Sequence, residues 1–159
     1  MEHFTFTFED EKTIKFSGAL DEYASIKKAI ESFPKEVWVD LSEVTTINSM
    51  GVREWSLAIA SSSSKIHYIN CPSIVIDQFN ATYEFLGENA TIDSMEVYFH
   101  CELCDYTTSH NCEVGQGKEI DLTKEDFLDH LPPDCLRCGE KMQIDHQVEI
   151  YFQLFLKNP

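Results

Sequence analysis

The sequence predicts an α/β protein, on three observations. Its first residues alternate aromatic and polar side chains, its middle sets apolar residues at helical spacing between short apolar runs, and its second half carries two Cys-x-x-Cys pairs. Phe4, Phe6 and Phe8 alternate with Thr5 and Thr7, the period of a half-buried strand, and Glu9 to Lys12 supplies a polar turn before Thr13 to Phe16 pairs back as a hairpin. Ser17 and Gly18 end that strand. Tyr23, Ile26, Ile30 and Phe33 then share one helical face, with Asp21 as the cap and Pro34 as the stop.

Val37 to Val39 with Leu41 forms a short apolar run suited to a central strand, and Ile47 stands in the loop that follows. Asn48 to Gly51 opens a second helix with Val52, Trp55 and Ile59 on its inner face, ended by the serines Ser61 to Ser64. Ile66 to Ile69 is another strand, and Pro72 introduces a third helix through Val75, Phe79 and Tyr83. Strands alternating with helices in this way imply a mostly parallel or mixed sheet with helices packed on it. A joint near Gly87 to Thr91 divides the chain into domains 1–90 and 91–159.

Charge narrows the function. The 159 residues carry a formal charge of -16, with 14 acidic against 7 basic residues in 1–90 and 14 against 5 in 91–159. Neither half has the basic patch that meets phosphates, so nucleic acid is excluded as the expected partner and proteins are favoured. The N-terminus has no basic start followed by an apolar run, and no stretch reaches the roughly 18 apolar residues of a membrane span. A cytoplasmic location is expected, where thiols stay reduced and paired cysteines serve as metal ligands.

Three local signatures carry a resemblance. Gly18-Ala-Leu-Asp21 follows the second strand, Val39-Asp-Leu-Ser-Glu-Val44 lies on the middle strand, and Ile47-Asn-Ser-Met-Gly-Val52 opens the second helix. In this order and on these elements, residues 1 to about 90 resemble the STAS domain, the anti-sigma-factor antagonist family of bacteria. The resemblance implies a STAS-like mixed sheet with packed helices. It also implies a non-catalytic signalling role, with an anti-sigma factor, a serine kinase or a larger signalling complex as partner. In the family a serine of this loop is phosphorylated by the partner kinase, and that serine matches Ser49. Asn48, Met50, Gly51 and Arg53 complete the expected partner surface.

Phosphate on Ser49 suits the free N–H groups and positive dipole end of a helix N-terminus, with Arg53 one turn on. Two alternatives remain open. Ser49 also suits a plain N-cap role. Asn48 stands where the family has Asp, and Met50 where it has Ser or Thr, so a second reading is a structural adaptor that docks partners without being phosphorylated.

Met95 to His100 alternates like a strand and runs into Cys101-Glu-Leu-Cys104; Cys135-Leu-Arg-Cys138 follows after a capped helix from Thr123 to Leu131. Two residues between cysteines let both sulfurs of a tight turn face one point, and two such turns complete a tetrahedral shell. The four cysteines resemble a zinc ribbon with a long central insertion, and one structural zinc is the expected cofactor. A rubredoxin-like iron or two disulfides are the alternatives. Gly139 suits the backbone reversal of such a turn. Cys112 is expected as a free thiol, Cys71 as a small buried residue, and His100, His110, His130 and His146 as surface or packing residues.

The apolar tail from Gln147 to Leu156 is too short to cross a membrane. It is expected to close the fold as a strand or helix, or else to bind a partner or a second copy as a homodimer. No carboxylate pair, Gly-rich phosphate loop or nucleophile with a readable base stands out, so a binding module is expected rather than an enzyme.

Overall fold

The computed structural model describes residues 4–113 and 133–144; the expected helix from Thr123 to Leu131 and the apolar tail lie outside them. The described chain is an α/β structure with two sheets. Strands β1 (Thr5–Phe8), β2 (Thr13–Leu20), β3 (Glu36–Ile47), β4 (Lys65–Ile69) and β5 (Ala90–Ile92) form one sheet in the order β1-β2-β3-β4-β5. The β1–β2 pair is antiparallel and the rest are parallel. Strands β6 (Ser94–Cys101), β7 (Tyr106–Glu113) and β8 (Gln143–Ile144) form the second sheet, all antiparallel, in the order β7-β6-β8.

The helices are α1 (Ile26–Glu31), α2 (Ser49–Ala60), α3 (Ser73–Ala81) and α4 (Tyr83–Leu86). They cover one face of the five-stranded sheet. Phe16, Val37, Val39, Ile66 and Tyr68 alternate onto that face, with Lys15, Glu36, Trp38, Lys65 and His67 on the other, the period-two rule of a strand. The ring of Trp55 on α2 lies 5.3 Å from Phe16, 5.6 Å from Phe85 and 6.3 Å from Tyr68. The polar atoms of these two rings find partners: Trp55 Nε1 donates to the Phe85 carbonyl and Tyr68 Oη to that of Leu86, both at 3.1 Å.

Four local expectations are corrected. Ser17 and Gly18 do not end β2, which runs on to Leu20 because Ser17 to Leu20 pairs with Glu43 to Ile47 of β3. Asp21 does not cap α1: its Oδ1 accepts from Tyr23 N at 2.9 Å, closing a tight turn, and the helix begins later, after Ser25. Tyr23 is therefore left outside the helix, 79% exposed. Ile47 is not in the loop after β3; the strand runs to it because Glu43 to Ile47 goes on pairing with β2 through two register irregularities. The third helix does not reach Tyr83. Thr82 adopts an extended backbone and separates α3 from α4, which turns Phe85 and Leu86 inward and leaves Tyr83 exposed.

The two sheets are joined through the backbone. β4 runs on into Asn70 and Cys71, where Cys71 N donates to the Ser94 carbonyl at 3.1 Å and Glu96 N donates to the Cys71 carbonyl at 2.8 Å. Asn70, at φ 54, sends Nδ2 to Asp40 Oδ2 at 2.8 Å and accepts from Asn111 Nδ2 at 2.7 Å, so one side chain spans β3 and β7. Met95, Val97 and Phe99 of β6 are buried in the same cluster as Val75 and Phe79 of α3. Met95→Ala should therefore cost about 2 to 5 kcal/mol, as for other buried Met truncations. Amide exchange should quicken in β4 as well as β6, checked by denaturant titration and hydrogen exchange.

Candidate metal centre and partner surface

Each cysteine pair sits in a turn of the same construction. In the first, Asp105 N donates to the Cys101 carbonyl at 2.9 Å, and Asp105 has φ 56. In the second, Gly139 N donates to the Cys135 carbonyl at 2.8 Å, and Gly139 has φ 79. The residue after the second cysteine must reverse the chain through the left-handed region. Gly enters it freely and Asp more readily than most side chains. Gly139 was legible in this role; Asp105 was not, although it stands at the same place in the Cys-x-x-Cys-x pattern.

The turns face each other across β6 and β8. Cys135 N donates to the Glu140 carbonyl at 2.7 Å and Met142 N to that of Pro133 at 3.1 Å, which closes the second turn as a small hairpin. Pairing of Phe99 with Ile144 and His100 with Gln143 fixes that hairpin beside the first turn. Arg137 adds a side-chain tie, its Nη1 donating to the Cys104 carbonyl at 3.4 Å while its guanidinium lies 5.1 Å from the Tyr106 ring centre.

This brings all four thiols together. The Sγ atoms of Cys101, Cys104, Cys135 and Cys138 lie within 4.8 Å of one another, with Cys101 to Cys138 and Cys104 to Cys135 both 3.5 Å apart. Sulfurs about 2.3 Å from a tetrahedral zinc stand roughly 3.8 Å apart, so the set fits such an ion with small adjustment. Cys101 and Cys135 are buried, Cys104 is half-buried and Cys138 is exposed. Burial, together with hydrogen bonding to the three neighbouring thiols, pushes the Cys104 thiol up to about 12. Burial also opposes ionisation of Cys135, but the backbone N–H groups of Arg137 and Cys138 and the thiols of Cys104 and Cys138 outweigh it and bring it down to about 6. Four thiols at this spacing cannot all ionise without a cation among them.

Comparison of the chain with protein-family models, curated proteins and solved structures finds no match. The remaining cysteines are apart from the cluster. Cys71 is fully buried at the junction of the sheets, and burial raises its thiol well above the usual range. Cys112 is half-buried on β7, with Sγ against the His110 carbonyl at 3.8 Å. His100 lies 3.6 Å from Asp105 and His110 packs edge-on to Phe99, so neither enters the cysteine cluster.

The second candidate surface lies at the start of α2. The cap is Asn48, not Ser49: Asn48 Oδ1 accepts from Gly51 N at 2.8 Å, and Ser49 is the first helical residue. Ser49, Met50 and Arg53 are exposed, whereas Gly51 is buried. A Cβ on Gly51 would fall 2.0 Å from the Leu20 carbonyl oxygen, so glycine here lets the helix start sit on the end of β2. Asn48 Nδ2 also donates to Glu22 Oε2 at 2.8 Å, which keeps that carboxyl below its usual range. Glu22 had no signal in the sequence, because its role depends on a loop returning 26 residues later.

A buried histidine was also missed. His67 on β4 stacks on Trp38 with ring centres 4.7 Å apart, and its nitrogens face Asp93 at 3.0 Å and Glu36 at 3.3 Å. The Thr91 hydroxyl stands 3.1 Å from the nitrogen that also faces Asp93. Both ring nitrogens are committed to carboxylates under an indole, an arrangement that braces the open face of the sheet.

Two measurements follow from this geometry. Purified protein should carry one metal ion per chain by elemental analysis; Cys104→Ser and Cys138→Ser should lose it, while Cys71→Ser and Cys112→Ser keep it. Asn48→Ala should cost about 1 kcal/mol of stability through the lost cap, and Ser49→Ala almost nothing, by denaturant unfolding.

Proposed function

We propose that this protein is a non-catalytic, zinc-stabilised binding module of the anti-sigma-factor antagonist type, which meets a protein partner through the surface around Ser49. The observation that carries the reading is the division of labour at the start of α2. Asn48 takes the capping bond, leaving the Ser49 hydroxyl exposed beside Met50 and Arg53 at a helix N-terminus. A phosphate placed there would meet free backbone donors and the positive end of the helix, and would add about -1.5 to -2 charges to the surface. Exposed Met50 and Tyr23, on a segment tied to Asn48 through Glu22, supply apolar contact area.

Support also comes from the order of elements, an antiparallel β1–β2 hairpin leading into parallel strands with helices on one face, and from Gly51, whose lack of a side chain the loop requires. Zinc is the metal of choice because a closed all-cysteine tetrahedron suits it, and with every position filled by protein it acts on stability alone. The His67 ring is buried against Trp38 with both nitrogens engaged by carboxylates, which supports a structural role for that cluster.

One observation favours the adaptor reading, in which the same surface docks without phosphorylation. Glu22 remains anionic against Asn48, one residue from Ser49, and opposes a second negative group there. The two readings separate by experiment. A partner captured from native cells should bind Ser49→Asp at least about tenfold more weakly than wild type. Ser49→Ala should bind normally and resist kinase with ATP. Equal binding by both variants, with no phosphate on Ser49 by mass spectrometry under any growth condition, leaves the adaptor.

A further inference from the structure

Strand β7 is the outer strand of the three-stranded sheet, and among the described residues nothing pairs with its free edge. Such an edge presents a row of N–H and C=O groups that template another strand. Proteins blunt it with short length, bulges, proline or charge. Among the described residues the other outer strands are short, with β1 spanning 4 residues, β5 3 and β8 2. β7 has 8 residues, an unbroken register against β6, and no Pro, Asp, Lys or Arg; Glu113 at its end is its one charge. In a chain of formal charge -16, the uncharged run from Tyr106 to Cys112 is where two copies can approach without repulsion.

We propose that β7 pairs antiparallel with β7 of a second copy of this chain, joining the two three-stranded sheets across a two-fold axis. A two-fold axis between antiparallel strands sets one residue opposite itself. Centring on Ser109 would place Asp105 of one copy against Glu113 of the other, acid facing acid. Centring on Thr108 or Asn111 leaves fewer residues of β7 paired. Centring on His110 pairs Thr107 with Glu113, Thr108 with Cys112 and Ser109 with Asn111, with no like-charged pair. His110 is exposed, with its ring edge-on to Phe99, so its outer side can face its own copy.

The test is the solution mass of the full, metal-loaded chain by sedimentation equilibrium. Wild type is expected to dimerise reversibly. H110K and H110E each set like charges at the axis and should weaken the dimer about tenfold or more. Both should keep wild-type circular dichroism and metal content, since the side chain lies on the surface. Mixing the two variants in equal amounts should restore the dimer, because Lys then faces Glu. A monomeric wild type, a dimer that both variants retain, or a mixture that stays monomeric would each overturn the proposal.

Discussion

Strand β6 belongs to two structures at once, and that double membership shapes the molecule. At its start, Ser94 to Glu96 exchanges backbone hydrogen bonds with Cys71, the continuation of β4. Further along it is the central strand of the second sheet, paired with β7 on one side and β8 on the other. Its buried residues Met95, Val97 and Phe99 alternate onto the common core, while Cys101 at its end opens the first cysteine turn. The four-cysteine cluster is thus held by a strand already fixed at its other end. A four-cysteine cluster at the tip of a small sheet has little apolar area of its own, and anchoring to a larger core supplies what the small sheet lacks.

The two cysteine turns show how one local geometry is reached from different sequences. Both close with an N–H donated back to the first cysteine carbonyl, and both need positive φ at the following residue. One uses Gly139 and the other Asp105. Gly bears no Cβ to clash, while the short Asp side chain tolerates the same region at modest cost. The symmetry of the turns sets the sulfurs at matching distances, 3.5 Å for each cross-turn pair.

Opposite the helices, the five-stranded sheet carries a ladder of polar and aromatic pairs instead of a second helical layer. Lys12 lies over Trp38, Trp38 stacks on His67, and His67 meets Asp93 and Glu36. Lys15 pairs with Glu43 at 2.8 Å on the neighbouring strands. Cross-strand pairs of this sort keep a solvent-facing sheet in register. The chain therefore spends its aromatic residues on both faces, with Trp55 in the core and Trp38 as a cover for the histidine.

The sequence by itself determined the α/β class, the hairpin, the strand at Ile66, the burial of Cys71 and the four cysteines as one set. Each of these rests on period, spacing or residue chemistry within a few neighbours. Where the reading failed, the deciding contact was in one case a near neighbour and in the others came from far along the chain. Asp21 resembles a cap, but the Tyr23 amide two residues on claims it; Ile47 resembles a loop residue, but pairing with Leu20 of β2 carries the strand through it. Ser49 and Asn48 are both good caps, and only the fold shows that Asn48 takes the bond while reaching Glu22. His67, Asp93 and Glu36 are unremarkable in a linear reading because their meeting depends on parallel register between strands separated by helices. Local patterning sets which elements form, whereas long-range register sets which side chains meet.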